Sequence, residues 1–267
     1  MMRIAPALLV AALIAAPAAQ AQSTGSAPAE APRTPIHRAN SSAVIAAELA
    51  FNQLAQQKGQ WTAFIETSTP EAEMFVPQRV KAHEWLKGQA NPPRSVTWQP
   101  HEVWSSCDGT YALTRGAWQR PDNSFGYFTT LWQRQPKKGD YKWLIDQGNV
   151  TPAQIAAPDM ITGLVADCRA LPPRPAGAST PPPGKRKKPK IPDAAPAPAL
   201  NAAIPGIQPI ALSVEGDRKD GRSRDGTLDW SSVVTSDGAR TFVVRIWKDG
   251  EMREVLRSVV DAPKAGG

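Results

Sequence analysis

Apolar and polar residues change their period along this chain, and the changes mark its elements. Between Ser41 and Gly59, Val44, Ile45, Ala47, Leu49, Phe51, Leu54 and Ala55 recur at helical spacing, with Ser41-Ser42 as the predicted N-cap and Gly59 as the stop. A second short helix is predicted over 60–67, presenting Trp61, Phe64 and Ile65. A short β piece is expected around Met74 to Val76, interrupted by Pro77, and then one helical turn at His83 to Lys87 before a loop over 88–94. From Val96 to Val150 the period shortens to two. Aromatic and β-branched segments are separated there by Ser106-Cys107-Asp108-Gly109, Pro121-Asp122-Asn123-Ser124 and Lys137-Lys138-Gly139-Asp140, which predicts four strands of an antiparallel meander. Alternation assigns Tyr111, Leu113, Arg115 and Ala117 to one face and Ala112, Thr114, Gly116 and Trp118 to the other; Tyr127, Thr129 and Leu131 oppose Phe128, Thr130 and Trp132 in the same way. Both faces carry large apolar groups, so each needs a covering layer or a partner.

Beyond the meander the pattern breaks. Pro152, Pro158 and the apolar Met160, Ile161, Leu164 and Val165 predict a short helix or loop at the domain edge. Residues 171–209 hold twelve prolines, the composition of a disordered or polyproline-like linker. Strand character returns at 210–214, 227–235, 241–247 and 253–260, with Ser236-Asp237-Gly238 and Asp249-Gly250 as hairpin turns. So small a sheet needs something to pack on, and it either docks on the first domain or forms a modest subdomain. The expected organisation is a signal peptide at 1–21, a disordered leader at 22–40, an α+β domain at 41–170, a Pro/Lys-rich linker at 171–209 and a small β extension at 210–267.

The signal peptide is read from Arg3, the apolar run Ile4 to Ala16 and the small-x-small triplet Ala19-Gln20-Ala21, which places cleavage before Gln22. The expected location is therefore periplasmic or secreted. The apolar run falls short of the roughly 20 residues that span a bilayer. Export gives meaning to the two cysteines: in an oxidising compartment Cys107 and Cys168 are expected to pair, closing a loop of about sixty residues for roughly 4 kcal/mol.

The formal charge of +7 is unevenly spread. Residues 41–170 carry twelve basic and twelve acidic side chains, so the predicted domain is neutral, while Lys185, Arg186, Lys187, Lys188 and Lys190 concentrate positive charge in the linker. A nucleic-acid partner is not implied; anionic envelope surfaces suit the basic run better.

The element order and the phrases ELAFNQLAQQKGQWTAFIE and TRGAWQRPDNSFGYFTTLWQRQPKKGDYKWLIDQGN resemble the NTF2-like superfamily, specifically its SnoaL-like and DUF4440-like exported proteins. The matching positions are Gly116 and Trp118, then Gly126, Trp132 and Arg134, then Trp143 and Asp146, within a resemblance that covers about residues 43–150. It implies a cone-shaped, strongly curved antiparallel sheet wrapped around the N-terminal helices, a pocket inside, and a homodimer through the outer face of the sheet.

Chemical motifs are few. With His37, His83 and His101 as the only histidines, no cluster has metal-ligand spacing; no Gly-x-Ser-x-Gly elbow, phosphate loop or dinucleotide fingerprint occurs, and no cofactor is implied. The 217–226 segment carries basic residues among its acids and reads as a solvated turn rather than a calcium loop. Two functions remain. One is a non-enzymatic module that binds a small apolar ligand or a protein. The other is a pocket enzyme of the SnoaL-like or ketosteroid-isomerase-like type, with Asp146 as catalytic acid or base. Tyr111, Tyr127, Trp118, Trp132, Trp143 and His101 are the candidate pocket residues. Asp146 could instead pair with Arg115 or Arg134 across strands, and the tryptophans could serve as core.

Overall fold

The computed structural model describes residues 39–168 and 207–263; the predicted signal peptide, the leader as far as residue 38, and the linker with its basic run lie outside the described residues. The fold is α+β, with a large curved sheet, few helices and a second, smaller sheet.

Helix α1 spans Ser41–Lys58 and α2 spans Gln60–Thr67. Asn40 rather than Ser41 or Ser42 caps α1, its side-chain oxygen accepting the Ala43 N–H at 3.0 Å. The buried stripe of α1 is Val44, Glu48, Phe51 and Ala55, whose spacing of four, three and four residues keeps them on one face; Leu49, from the predicted apolar set, is 45% exposed. Between the helices Gly59 takes a positive φ of 98°, and the side chain of Asn91 lies where its Cβ would stand.

Strands β1 (Ser68–Phe75) and β2 (Arg79–Lys81) and helix α3 (Ala82–Leu86) follow. The meander then appears as β3 (Thr97–Ser105), β4 (Tyr111–Gln119), β5 (Phe125–Arg134) and β6 (Tyr141–Thr151). The segment predicted as helix or loop contains instead strand β7 (Thr162–Val165), which runs parallel to β3 and satisfies its open edge. The seven strands are ordered β2-β1-β6-β5-β4-β3-β7. Register shifts at His101 in β3 and at Leu144 in β6 insert an extra residue into each strand and add local bend.

The second sheet comprises β8 (Asp217–Arg222), β9 (Leu228–Val234), β10 (Arg240–Lys248) and β11 (Glu251–Val260), in the order β11-β10-β9-β8. Its first strand corrects the solvated-turn reading of 217–226, and 210–214 holds no strand. Hydropathy hides β8 because Asp217, Arg218, Lys219 and Asp220 are all charged: its pairing with β9 and its ion pairs hold it, not an apolar face.

Two cores result. On the helix side of the main sheet Val44, Phe51, Trp98, Phe128, Trp132 and Trp143 pack together. On the other side Trp104, Tyr111, Leu113, Leu131 and Ile145 meet Leu228, Trp230, Phe242, Val244, Ile246 and Leu256 of the second sheet, and every residue of β9 is buried. The outer face that a homodimer was expected to use is thus covered by the chain's own second sheet; dimerisation would need a different surface.

Two turns of one sequence type stitch the sheets together. Ser106-Cys107-Asp108-Gly109-Thr110 and Ser223-Arg224-Asp225-Gly226-Thr227 share the pattern Ser-x-Asp-Gly-Thr. In each, one Asp oxygen accepts from the Ser hydroxyl at 2.7 Å and from both the N–H and the hydroxyl of Thr. The other Asp oxygen crosses the seam: the Asp108 N–H donates to Asp225 Oδ2 at 2.8 Å and the Asp225 N–H to Asp108 Oδ2 at 3.1 Å. Cys107 N–H to Thr227 Oγ1 and Arg224 N–H to Thr110 Oγ1 repeat the exchange. This reciprocity is the pattern of a two-fold interface, realised within one chain. Beside it Cys107 and Cys168 form the expected disulfide, with a sequence separation of 61.

Candidate functional site

A cavity of about 270 Å³ opens on the helix side of the main sheet. Phe51 of α1, Trp61 and Phe64 of α2, Met74 of β1, and Trp98, Trp118 and Phe128 of the meander form its apolar walls. The rings interlock edge to face, with Phe51 to Trp98 at 4.7 Å, Phe51 to Phe64 at 4.8 Å and Trp61 to Phe64 at 5.5 Å between centroids. Such contacts fix the walls and leave the space between them open. Glycine contributes at one place: Gly116 and Gly148 flank Phe128 across β4, β5 and β6, and a Cβ at Gly116 would stand 1.9 Å from the Gln99 carbonyl oxygen.

Polar groups enter from two directions. Asp146 lines the cavity from β6, where it pairs with Thr130 in register and accepts the Thr130 hydroxyl at 3.0 Å. Among the described residues no cation pairs with it: Arg134 turns to the Gly139 carbonyl and Arg115 lies over the Tyr127 ring, so the cross-strand arginine pairing considered from sequence does not form. Burial, with the nearby carboxyl of Glu48 adding to it, pushes the Asp146 carboxyl up to about 8 against the opposing Thr130 hydrogen bond. Arg120 enters from the rim, exposed, with its guanidinium 4.6 Å over the Trp118 ring.

Glu48 lies behind Asp146 and is fully buried. Its oxygens accept the Trp98 indole N–H at 2.7 Å, the Thr114 hydroxyl at 2.6 Å and the Trp132 indole N–H at 3.0 Å. Burial raises its affinity for a proton in spite of these donors. The donors satisfy an ionised Glu48, whereas Asp146 has one donor and feels a like charge beside it. The geometry therefore puts the proton of the pair on Asp146 at neutral pH.

The predicted pocket residues divide. Trp118 lines the cavity with Asp146. Trp132 and Trp143 are core on the same side, their indole N–H groups held by Glu48 and by Thr67 Oγ1. Tyr111 and Tyr127 point to the opposite face, as strand alternation from Trp118 and Phe128 requires: Tyr111 accepts from Gln133 Nε2 and Tyr127 meets Ser258 Oγ at 2.9 Å. His101 is the extra residue of the β3 bulge and lies off the cavity; burial and the neighbouring Arg115 lower its proton affinity, against Glu102. Trp98, one of the meander tryptophans that the sequence offers as pocket-lining, does line the cavity, whereas Glu48, Arg120 and the α2 aromatics are site residues that the sequence reading does not single out. Glu48 has a signal, since a carboxylate stands four residues after Val44 in the otherwise apolar stripe Val44, Phe51, Ala55.

No family model matches the sequence, and no curated protein matches it. Similar solved structures include a protein from Novosphingobium aromaticivorans provisionally described as an aromatic ring hydroxylase, at 11% identity and TM-score 0.30, covering 41% of this chain and 92% of that one. A protein of unknown function with a cystatin-like fold from Methylobium petroleophilum has 10% identity and TM-score 0.32, covering 46% and 86%. One from Exiguobacterium sibiricum, provisionally described as a Ca/calmodulin-dependent kinase II association domain, has 12% identity and TM-score 0.30, covering 43% and 97%.

Proposed function

We propose that this chain is an exported, NTF2-like small-molecule-binding protein whose ligand occupies the aromatic cavity enclosed by α1, α2 and the cone of the main sheet. One observation carries the reading: an open cavity with interlocked aromatic walls and a cation-free carboxyl is the form of a ligand site, whereas a packed core would close it. Export is supported by the Arg3 to Ala21 pattern and accords with the Cys107–Cys168 bond. The basic run 185–190 is read as an anionic-surface contact, tested by vesicle co-sedimentation before and after the five basic residues are changed to Ser.

A thermal-shift screen of apolar and aromatic compounds tests the ligand reading. A ligand at 100 times its Kd adds about 2.7 kcal/mol of stability. A library that neither shifts the melting transition nor quenches the emission of Trp61, Trp98 and Trp118 would sink it.

Acid/base catalysis is the second reading, favoured by a carboxyl pushed up to about 8 on the wall of an apolar cavity. In that role Asp146, protonated at neutral pH, donates to a ligand carbonyl or hydroxyl, and Glu48 keeps the proton there as a positioning residue. An Asp146→Asn variant that turns over a bound ligand as fast as wild type would remove the catalytic reading and leave the binding one intact.

A further inference from the structure

We infer that the cavity selects apolar carboxylic acids, taking the apolar body between its rings and the carboxylate at its mouth on Arg120. The inference rests on the cavity being a ligand site and adds the class of ligand.

Three features of the rim support it. Arg120 is exposed and borders two spaces at once: the aromatic cavity, and a polar cleft of about 490 Å³ formed with the 92–95 loop, Thr97 and Asn123. Its guanidinium makes no ion pair among the described residues: the neighbouring Asp122 feels its charge only through space, and its carboxylate is taken by the Ser124 N–H and hydroxyl, at 2.9 and 2.7 Å. Finally, the surface beneath the guanidinium is held in place, because the Trp118 indole N–H donates to the Tyr127 carbonyl at 2.9 Å. A cation stacked on a fixed ring keeps its in-plane N–H fork free for a bidentate carboxylate.

The interior points the same way. An acid group could not go in first, because the ionised Glu48 already places negative charge behind the protonated Asp146 and a second, unpaired buried carboxylate would be costly. A protonated Asp146 would instead donate to a neutral acceptor. The best-fitting molecule therefore carries a carboxylate at one end and a carbonyl or hydroxyl at the other, joined by a flat apolar body. Arg94 borders the same polar cleft and adds positive charge near the mouth.

The test uses the full chain and a matched set of naphthalene and indole carboxylic acids with their neutral primary amides. Binding is read by tryptophan quenching and calorimetry at pH 7 in low salt. The acids should bind about tenfold or more tighter than the amides, and the gap should narrow as salt is raised. Arg120→Gln should erase the acid preference and leave amide binding within about twofold. Asp146→Asn should retain the preference, because the two groups act at opposite ends. Amides that bind as tightly as acids, or an acid preference unchanged in Arg120→Gln, would overturn the inference while leaving the cavity as a ligand site. Failure of both acids and amides to bind would remove the ligand reading as well.

Discussion

Glu48 and Glu73 are both buried glutamates, and the protein treats them in opposite ways. Glu48, beneath the cavity, is surrounded by neutral donors and sits near a second carboxyl, so both acids hold their protons more tightly than in water. Glu73, at the seam between the sheets, faces Arg79 at 3.2 Å, Lys81 at 2.9 Å and Lys219. Burial alone would raise its proton affinity, but hydrogen bonds from Lys219 and Lys81 outweigh burial and hold it below the usual carboxylate range. Arg79 extends the seam network to Asp217 at 2.7 Å and to the Ser232 carbonyl at 3.1 Å. The seam spends charge on holding two sheets together. The interior keeps an acid protonated where a ligand can reach it.

The signs of the pH dependence follow. Asp146 has a folded value above its unfolded one, so its stabilising contribution is complete below about 4, declines as pH rises, and is gone above about 8. Glu73 is displaced downward, so its contribution is present above its unfolded value and is lost on acidification. Acidification from neutral should loosen the seam while it tightens the interior. Amide exchange at β8 and β9 should then accelerate relative to α1.

Glu48→Ala should have the largest effect, a loss of about 3–5 kcal/mol in urea unfolding, because it opens a void in the core, strands the Trp98 indole N–H and leaves the Trp132 indole and the Thr114 hydroxyl only their second acceptors, Thr114 Oγ1 and the Thr130 carbonyl. A loss below 1 kcal/mol would mean that the donors find other acceptors. Arg79→Ala comes next, at about 2–4 kcal/mol, since Glu73 and Asp217 lose a shared buried cation. Its cost should shrink towards pH 4; a cost that stays flat with pH would break the contrast between the two sites. Asp146→Asn should match wild type near pH 4, and its advantage should grow as pH rises from about 4 to about 8, to at least about 2 kcal/mol at pH 9, because over that range the unfolded carboxyl ionises freely and the buried one does not. Equal stability of the two proteins at pH 9 would place the proton elsewhere. Smallest is Tyr127→Phe, which removes the hydroxyl facing Ser258 across the seam for about 0.5–1.5 kcal/mol, read from the shift in urea midpoint.

The parts of the fold governed by short-range pattern were legible in the sequence. The meander's strands fall between the predicted turns, and α1 ends at Gly59, because alternation, helical spacing and a glycine stop act locally. Strands β7 and β8 were missed because each is held by a neighbour distant in sequence: β7 by the β3 edge, and β8 by β9 and by cations or acids from β1 and β2. The face of Tyr111 and Tyr127 was derivable from alternation, but which face held the cavity was not, since both carry aromatics. The sequence singles out Asp146 but not its partner Glu48, because a glutamate within a helical segment is ordinarily solvent-facing and only the packing of the helix on the sheet buries this one. The repeated Ser-x-Asp-Gly-Thr was readable in the letters, yet its meaning lies in a contact between residues over 100 positions apart.

The disulfide has a topological consequence. Both of its cysteines precede residue 169, so it ties β7 to the main sheet and leaves the second sheet without a covalent staple of its own. One cut between residues 169 and 206 would make the fold a bimolecular equilibrium between two fragments. Arg79 and the paired Asp108 and Asp225 turns would then act as determinants of affinity, and the aromatic cavity would report whether the larger fragment keeps its shape without the smaller one.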